Sequence, residues 1–109
     1  MGQAATIADL PLEALRELCA RWRVSELAVF GSALRDDFGS ESDIDLLVSF
    51  EPAASWSLLD HGRMQQELAD LLGRPVDLVS RRAVEASANP LRRRAILETA
   101  RTIVTLGER

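Results

Sequence analysis

Two aspartates one residue apart, Asp43 and Asp45, lie in the run DIDLLVSF, residues 43–50, which is otherwise apolar apart from one serine. Such a run reads as a buried strand. In a strand, positions i and i+2 point to the same side, about 6.7 Å apart. Asp43 and Asp45 therefore project together, while Ile44, Leu46 and Val48 point the other way into a core. Two ionised carboxylates side by side repel, and Asp is a poor strand former. A divalent cation resolves the conflict, because a hard ion such as Mg²⁺ takes carboxylate oxygens as ligands. A third carboxylate, Asp77, sits in a second short apolar run, Val76–Asp77–Leu78–Val79. If the two runs are neighbouring strands, Asp77 faces the other two and completes a site for one or two Mg²⁺ ions. Two such ions would activate an attacking oxygen and steady a leaving phosphate.

A phosphate-binding element stands upstream. The apolar run Glu26–Phe30 ends in Gly31-Ser32. A glycine at a strand end lets backbone N–H groups approach a phosphate closely, and a serine hydroxyl adds a hydrogen bond. A helix starting just after would favour the same negative charge. Taken singly, each feature has an ordinary reading. Gly-Ser is a common turn, Asp43 after Ser42 suits an Asx turn, and Asp77 suits an edge strand facing water. Their combination in this order points to nucleotide chemistry.

The elements that must position these residues follow from periodicity and punctuation. A first helix, capped by Thr6 or Asp9 with Pro11 in its first turn, carries Leu12, Leu15, Leu18, Cys19 and Trp22 at helical spacing and runs to about Arg23. A strand over Glu26–Phe30, a short helix or loop over 33–42 and a strand over Asp43–Phe50 come next. Glu51-Pro52 breaks that strand. A long helix from about Ser57 to Leu72 shows Leu58, Leu59, Met64, Leu68, Leu71 and Leu72 as its apolar face and stops at Gly73. A strand over Pro75–Val79, a helical turn or two over 81–87 and a last helix from Pro90 to about Thr105 complete the chain. That last helix has Leu91, Ala95, Ile96, Ile103 and Val104 as apolar positions. The order predicts an α/β (α+β) fold with a small mixed sheet of three or four strands, flanked by helices mainly on one face.

Composition agrees with a folded enzyme-sized domain. The 109 residues are 47% hydrophobic, enough for a core, and imply one domain over residues 1–109. The net charge of −4 disfavours a surface that coats nucleic acid but not a local nucleotide site. The single cysteine rules out an internal disulfide and a cysteine-based zinc site. No basic, apolar leader opens the sequence, and no apolar run approaches the ~20 residues that span a bilayer. A cytoplasmic protein without a membrane partner is expected.

The quoted motifs, Gly31-Ser32, a ten-residue spacer and Asp43-Ile44-Asp45, resemble those of the DNA polymerase β-like nucleotidyltransferase fold. The wider run GSALRDDFGSESDIDLLV, the PVDLV strand and the ANPLRRRAILETA helix are similar to the minimal nucleotidyltransferases of bacteria and archaea, the MNT domains of MntA-type antitoxins. The resemblance covers nearly the whole chain. It implies that Gly31, Ser32 and Arg35 hold a nucleotide triphosphate, with ATP the favoured donor. It implies that Asp43 and Asp45 bind Mg²⁺, and that Asp77 also deprotonates or orients the acceptor hydroxyl. The family pattern has Gly after the arginine, whereas Asp36 follows Arg35 here. Transfer of AMP to a tyrosine of a HEPN-type toxin encoded next to the chain is the implied reaction, in a toxin–antitoxin pair. About 30 residues follow Val79 and are needed to cover the sheet, so the acceptor is expected to come from another molecule. A non-catalytic antitoxin that acts by binding and transfer to a small molecule are the alternatives. Homo-oligomer formation stays open.

Other residues have plainer readings. His61 reads as a boundary residue of the long helix, and Cys19 as a packed core thiol. Arg81, Arg82, Arg92, Arg93 and Arg94 form a solvated face, or alternatively meet an acidic partner or steer ATP. Trp56 either anchors a ligand or packs over the sheet edge.

Overall fold

The computed structural model describes residues 10–31 and 43–106. Its elements are α1 (Leu12–Arg21), β1 (Val24–Phe30), β2 (Ile44–Phe50), α2 (Leu58–Leu72), β3 (Val76–Ser80), α3 (Arg81–Glu85), α4 (Pro90–Thr99) and β4 (Arg101–Thr105). The four strands form one mixed sheet in the order β3-β2-β1-β4. β1 is antiparallel to both β2 and β4, whereas β2 and β3 run parallel, joined by α2 as a crossover helix.

Strand alternation divides the apolar residues between two cores. Ile44, Leu46 and Val48 of β2, with Val76 and Leu78 of β3, pack under Leu15, Leu18 and Cys19 of α1 and Met64 and Leu68 of α2. Ala28, Phe30 and Leu47 face the other side and meet Val84 of α3 and Ile96 of α4. Helices therefore cover both faces, not mainly one. The reason lies in β2 and β1, whose central residues are apolar on both sides and must be buried on both.

The last helix is shorter than its periodicity implies. It ends at Thr99, Ala100 turns extended (φ −64°, ψ 138°), and residues 101–105 form β4 on the free edge of β1. Ile103 and Val104 lie seven and eight residues after Ile96, which suits a helix face. The β-branched run Thr102–Thr105 suits a strand better, and pairing with β1 decides between them. Val104 then packs into the first core.

The other boundaries shift little. α1 stops at Arg21 because Arg23 adopts φ 58°, and this reversal lets β1 begin at Val24. Pro11 occupies the N-cap position of α1; Thr6 and Asp9 lie outside the described residues. α2 opens with a capping box, in which Ser57 Oγ accepts from the Asp60 N–H at 3.1 Å and Asp60 Oδ2 accepts from the Ser57 N–H at 3.1 Å. It closes on Gly73, which takes the left-handed conformation at φ 72°. Leu58 and Leu59, expected on its apolar face, are exposed, because at 100° per residue they lie well round the helix from Met64; Met64 and Leu68 carry the burial.

Two polar contacts hold α2 to the sheet. On the outer edge of β3, the Leu78 N–H donates to Gln65 Oε1 at 2.9 Å, and the Leu78 carbonyl accepts from His61 Nε2 at 2.8 Å. His61 and Gln65 are one helical turn apart, so together they satisfy both backbone groups of an edge residue that has no further strand beside it. Trp56 is fixed in the adjoining loop by its contacts. It meets Trp22 edge to face at 5.0 Å and donates from Nε1 to the Trp22 carbonyl at 3.0 Å, while Trp22 Nε1 donates to Glu67 at 2.9 Å. No helix of the described residues is long and apolar enough to cross a membrane.

Two outcomes follow from this packing. Gln65→Ala strands the Leu78 N–H and costs about 1–2 kcal/mol in urea unfolding, more than an exposed Gln66→Ala control. Cys19 is fully buried, and burial pushes its thiol up to about 11, with Arg16 opposing only weakly. The native chain thus resists a thiol reagent at pH 8 and reacts fully once denatured.

Candidate active site

Asp45 and Asp77 are register partners in the parallel β2–β3 pair. Both alternate out of the first core, so their side chains lie on the same face of adjacent strands, about 4.8 Å apart at the backbone. Asp45 is half-buried and Asp77 exposed. Asp43 stands just ahead of β2 and is exposed. The Ile44 N–H donates to the Pro75 carbonyl at 2.9 Å, which ties the start of β2 to the residue ahead of β3 and holds all three acids at one end of the pair.

Gly31 belongs to the same point. Its predecessor Phe30 is the antiparallel partner of Asp45 across the β1–β2 ladder. Gly31 adopts φ +73°, and a Cβ there would lie 2.3 Å from Asp45 Oδ2 and 3.2 Å from its Cγ. The Asp45 carboxylate rests directly over the Gly31 Cα. Glycine is required here twice, for the left-handed backbone and for the space the carboxylate fills. The strand-end glycine and the paired acids, separate features in the sequence, form one contact in space. Ser32, Arg35 and Asp36 lie outside the described residues.

The donor chemistry fits Mg²⁺. The three acids offer hard oxygens and no nitrogen or sulfur ligand. Among the described residues, no three His, Cys, Asp or Glu side chains converge closely enough to enclose a metal by themselves. Magnesium is commonly held by one or two carboxylates and completes its shell with water and substrate phosphates. Asp43 and Asp45 would be the principal ligands and Asp77 the neighbour on the acceptor side.

His61 is not part of this group. Its Nε2 is taken up by the Leu78 carbonyl on the far edge of β3. The arginines disperse as well. Arg93 donates to the Ser87 carbonyl at 2.8 Å, Arg94 pairs with Glu98 at 3.1 Å, Arg92 is exposed, and Arg81 and Arg82 border a separate cleft. The sequence reading missed the joint role of His61 and Gln65 in fixing β3. Its trace was a polar pair at i, i+4 on an otherwise apolar helix face.

Comparison with known proteins agrees with this geometry. Residues 12–103 match the model of the nucleotidyltransferase domain family. A protein adenylyltransferase MntA of Thermococcus cleftensis is 39% identical over 71 residues, covering 65% of this chain and 70% of that protein. A solved structure described as a minimal nucleotidyltransferase superposes with a TM-score of 0.67 at 38% identity, covering 92% of this chain and 98% of the other. A Shewanella oneidensis MNT antitoxin in complex with a tri-AMPylated HEPN toxin shares the fold at a TM-score of 0.60 and 22% identity, over 87% of this chain and 70% of that one. A mixed four-stranded sheet, a glycine against a strand carboxylate, a second carboxylate in register and a family match over most of its length identify this chain as a member of the nucleotidyltransferase family, of the minimal, MntA-like kind.

Proposed function

We propose that residues 1–109 act as a single cytoplasmic domain that transfers AMP from ATP to a hydroxyl of a HEPN-type toxin, a tyrosine, as the antitoxin of a toxin–antitoxin pair. The observation that carries the reading is the contact of Gly31 with Asp45, beside Asp77 in register. The MntA relative is named a protein adenylyltransferase, and the Shewanella neighbour was solved with an AMPylated HEPN toxin, which supports the choice of donor and acceptor.

In this mechanism Gly31 lets its backbone approach the triphosphate without a side chain in the way, and Ser32 donates its hydroxyl hydrogen to a phosphate oxygen. Arg35 adds positive charge for the triphosphate. Asp43 and Asp45 hold Mg²⁺, which when bound supplies charge neutralisation at the phosphates. Asp77 accepts a hydrogen bond from the acceptor hydroxyl, orients it and takes its proton. The hydroxyl oxygen bonds to the α-phosphorus, the bond from that phosphorus to the bridging oxygen breaks, and pyrophosphate leaves with the electron pair. Positioning and charge placement account for most of the acceleration expected from such a site.

Intact mass of the HEPN protein encoded beside this chain, purified after co-expression, tests the proposal. Wild type adds whole AMP units. The Asp43→Ala/Asp45→Ala variant lowers the transfer rate by about 100-fold or more while the chain stays folded, read by its circular dichroism. Unmodified toxin that still co-purifies with wild type would instead indicate neutralisation by binding. Gly31→Ala separates the two demands on that position. The left-handed backbone costs about 1–2 kcal/mol of stability. Displacement of the Asp45 carboxylate lowers kcat by about 10- to 100-fold, read in single-turnover transfer.

A further inference from the structure

A cleft of about 540 Å³ opens at the carboxyl end of the parallel pair, where β2 and β3 finish. Ser49 lies four residues beyond Asp45 on β2, about 13 Å away, so this cleft is separate from the acidic end. The chain leaves β2 towards α2 over the first core, and leaves β3 directly into α3 over the second. Adjacent parallel strands whose following helices go to opposite faces splay apart and leave a crevice at their carboxyl ends, the place where open α/β sheets bind ligands.

The lining has unspent donors. Arg81 is half-buried, and its Nε donates to Ser49 Oγ at 3.0 Å. This bond fixes the guanidinium plane and leaves the two terminal nitrogens for a ligand. Arg82 follows on the rim, exposed. His61 lines the wall, held by the bond from its Nε2 to the Leu78 carbonyl. Of the two acids that border it, Glu51 pairs with Arg23 at 3.2 Å, and Glu85 is exposed. Trp56, held by Trp22, presents part of its ring to the same space, 37% exposed. Two guanidinium groups call for an anion that accepts several hydrogen bonds, and an immobilised indole calls for a planar ring to stack on it.

We propose that this cleft is a second binding site, for an organic phosphate with a planar ring, of mononucleotide size. The volume lies in the range of small-molecule sites. The phosphate meets Arg81 and Arg82, and the ring lies against Trp56.

Amide and indole N–H shifts of the full chain, titrated with AMP in EDTA, test the proposal. The Asp43→Ala/Asp45→Ala background serves as a parallel sample. In both, the expected shifts fall on the Trp56 indole and on Ser80–Arg82, with saturation at sub-millimolar AMP. Arg82→Gln, a rim substitution that touches no packing, weakens binding about tenfold. Shifts confined to Gly31 and Asp45, an unchanged affinity in Arg82→Gln, or equal shifts with inorganic phosphate at the same concentration would each overturn the site. Because transfer is not the readout, failure here leaves the adenylyltransferase reading standing, and failure of that reading leaves this one standing.

Discussion

The pairing of β2 with β3 is the constraint on which the rest of the molecule depends. It is parallel, so it needs a crossover, and α2 supplies one. Its register sets Asp45 beside Asp77. A slip by one residue would turn Asp77 into the first core and Leu78 out of it, at a cost that no local preference could offset. The apolar residues of the two strands thus lock the acids in place.

The devices around α2 serve the same end. Its capping box fixes where the helix starts, Gly73 fixes where it stops, and Met64 and Leu68 anchor it on the sheet. His61 and Gln65 then fasten β3 by both backbone groups of Leu78, the next residue after Asp77. An acid on an edge strand is held in position by a neighbour that belongs to a helix. The apparent spare histidine of the chain is part of the scaffold of the site and not of its chemistry.

On the other side of β2, the ladder with β1 brings Phe30 opposite Asp45 and so places Gly31 against the carboxylate. The same sheet thereby joins the glycine that ends β1 to acids from a parallel pair. α3 and α4 close the second face behind them through Val84 and Ile96. β4 covers the free edge of β1. Nothing in this arrangement needs a large core. It needs one central strand that is apolar on both faces except where the acids emerge.

The sequence by itself determined the local facts. Alternation in DIDLLVSF put Asp45 on the side opposite Ile44 and Leu46, because strand geometry has period two whatever lies beside it. Ser57 and Gly73 marked the ends of α2 through backbone chemistry that acts within a few residues. The candidate acids were therefore legible before the fold was known, as was a strand ending at Gly31. Only the tertiary structure decided what depended on partners distant in the chain. It decided the register of Asp45 with Asp77 and the contact of Gly31 with Asp45. It made residues 101–105 a strand, since Ile103 and Val104 fit either period until β1 offered an open edge. It left Leu58 and Leu59 in solvent, because the core receives the face of α2 that carries Met64 and Leu68 and those two leucines lie off it.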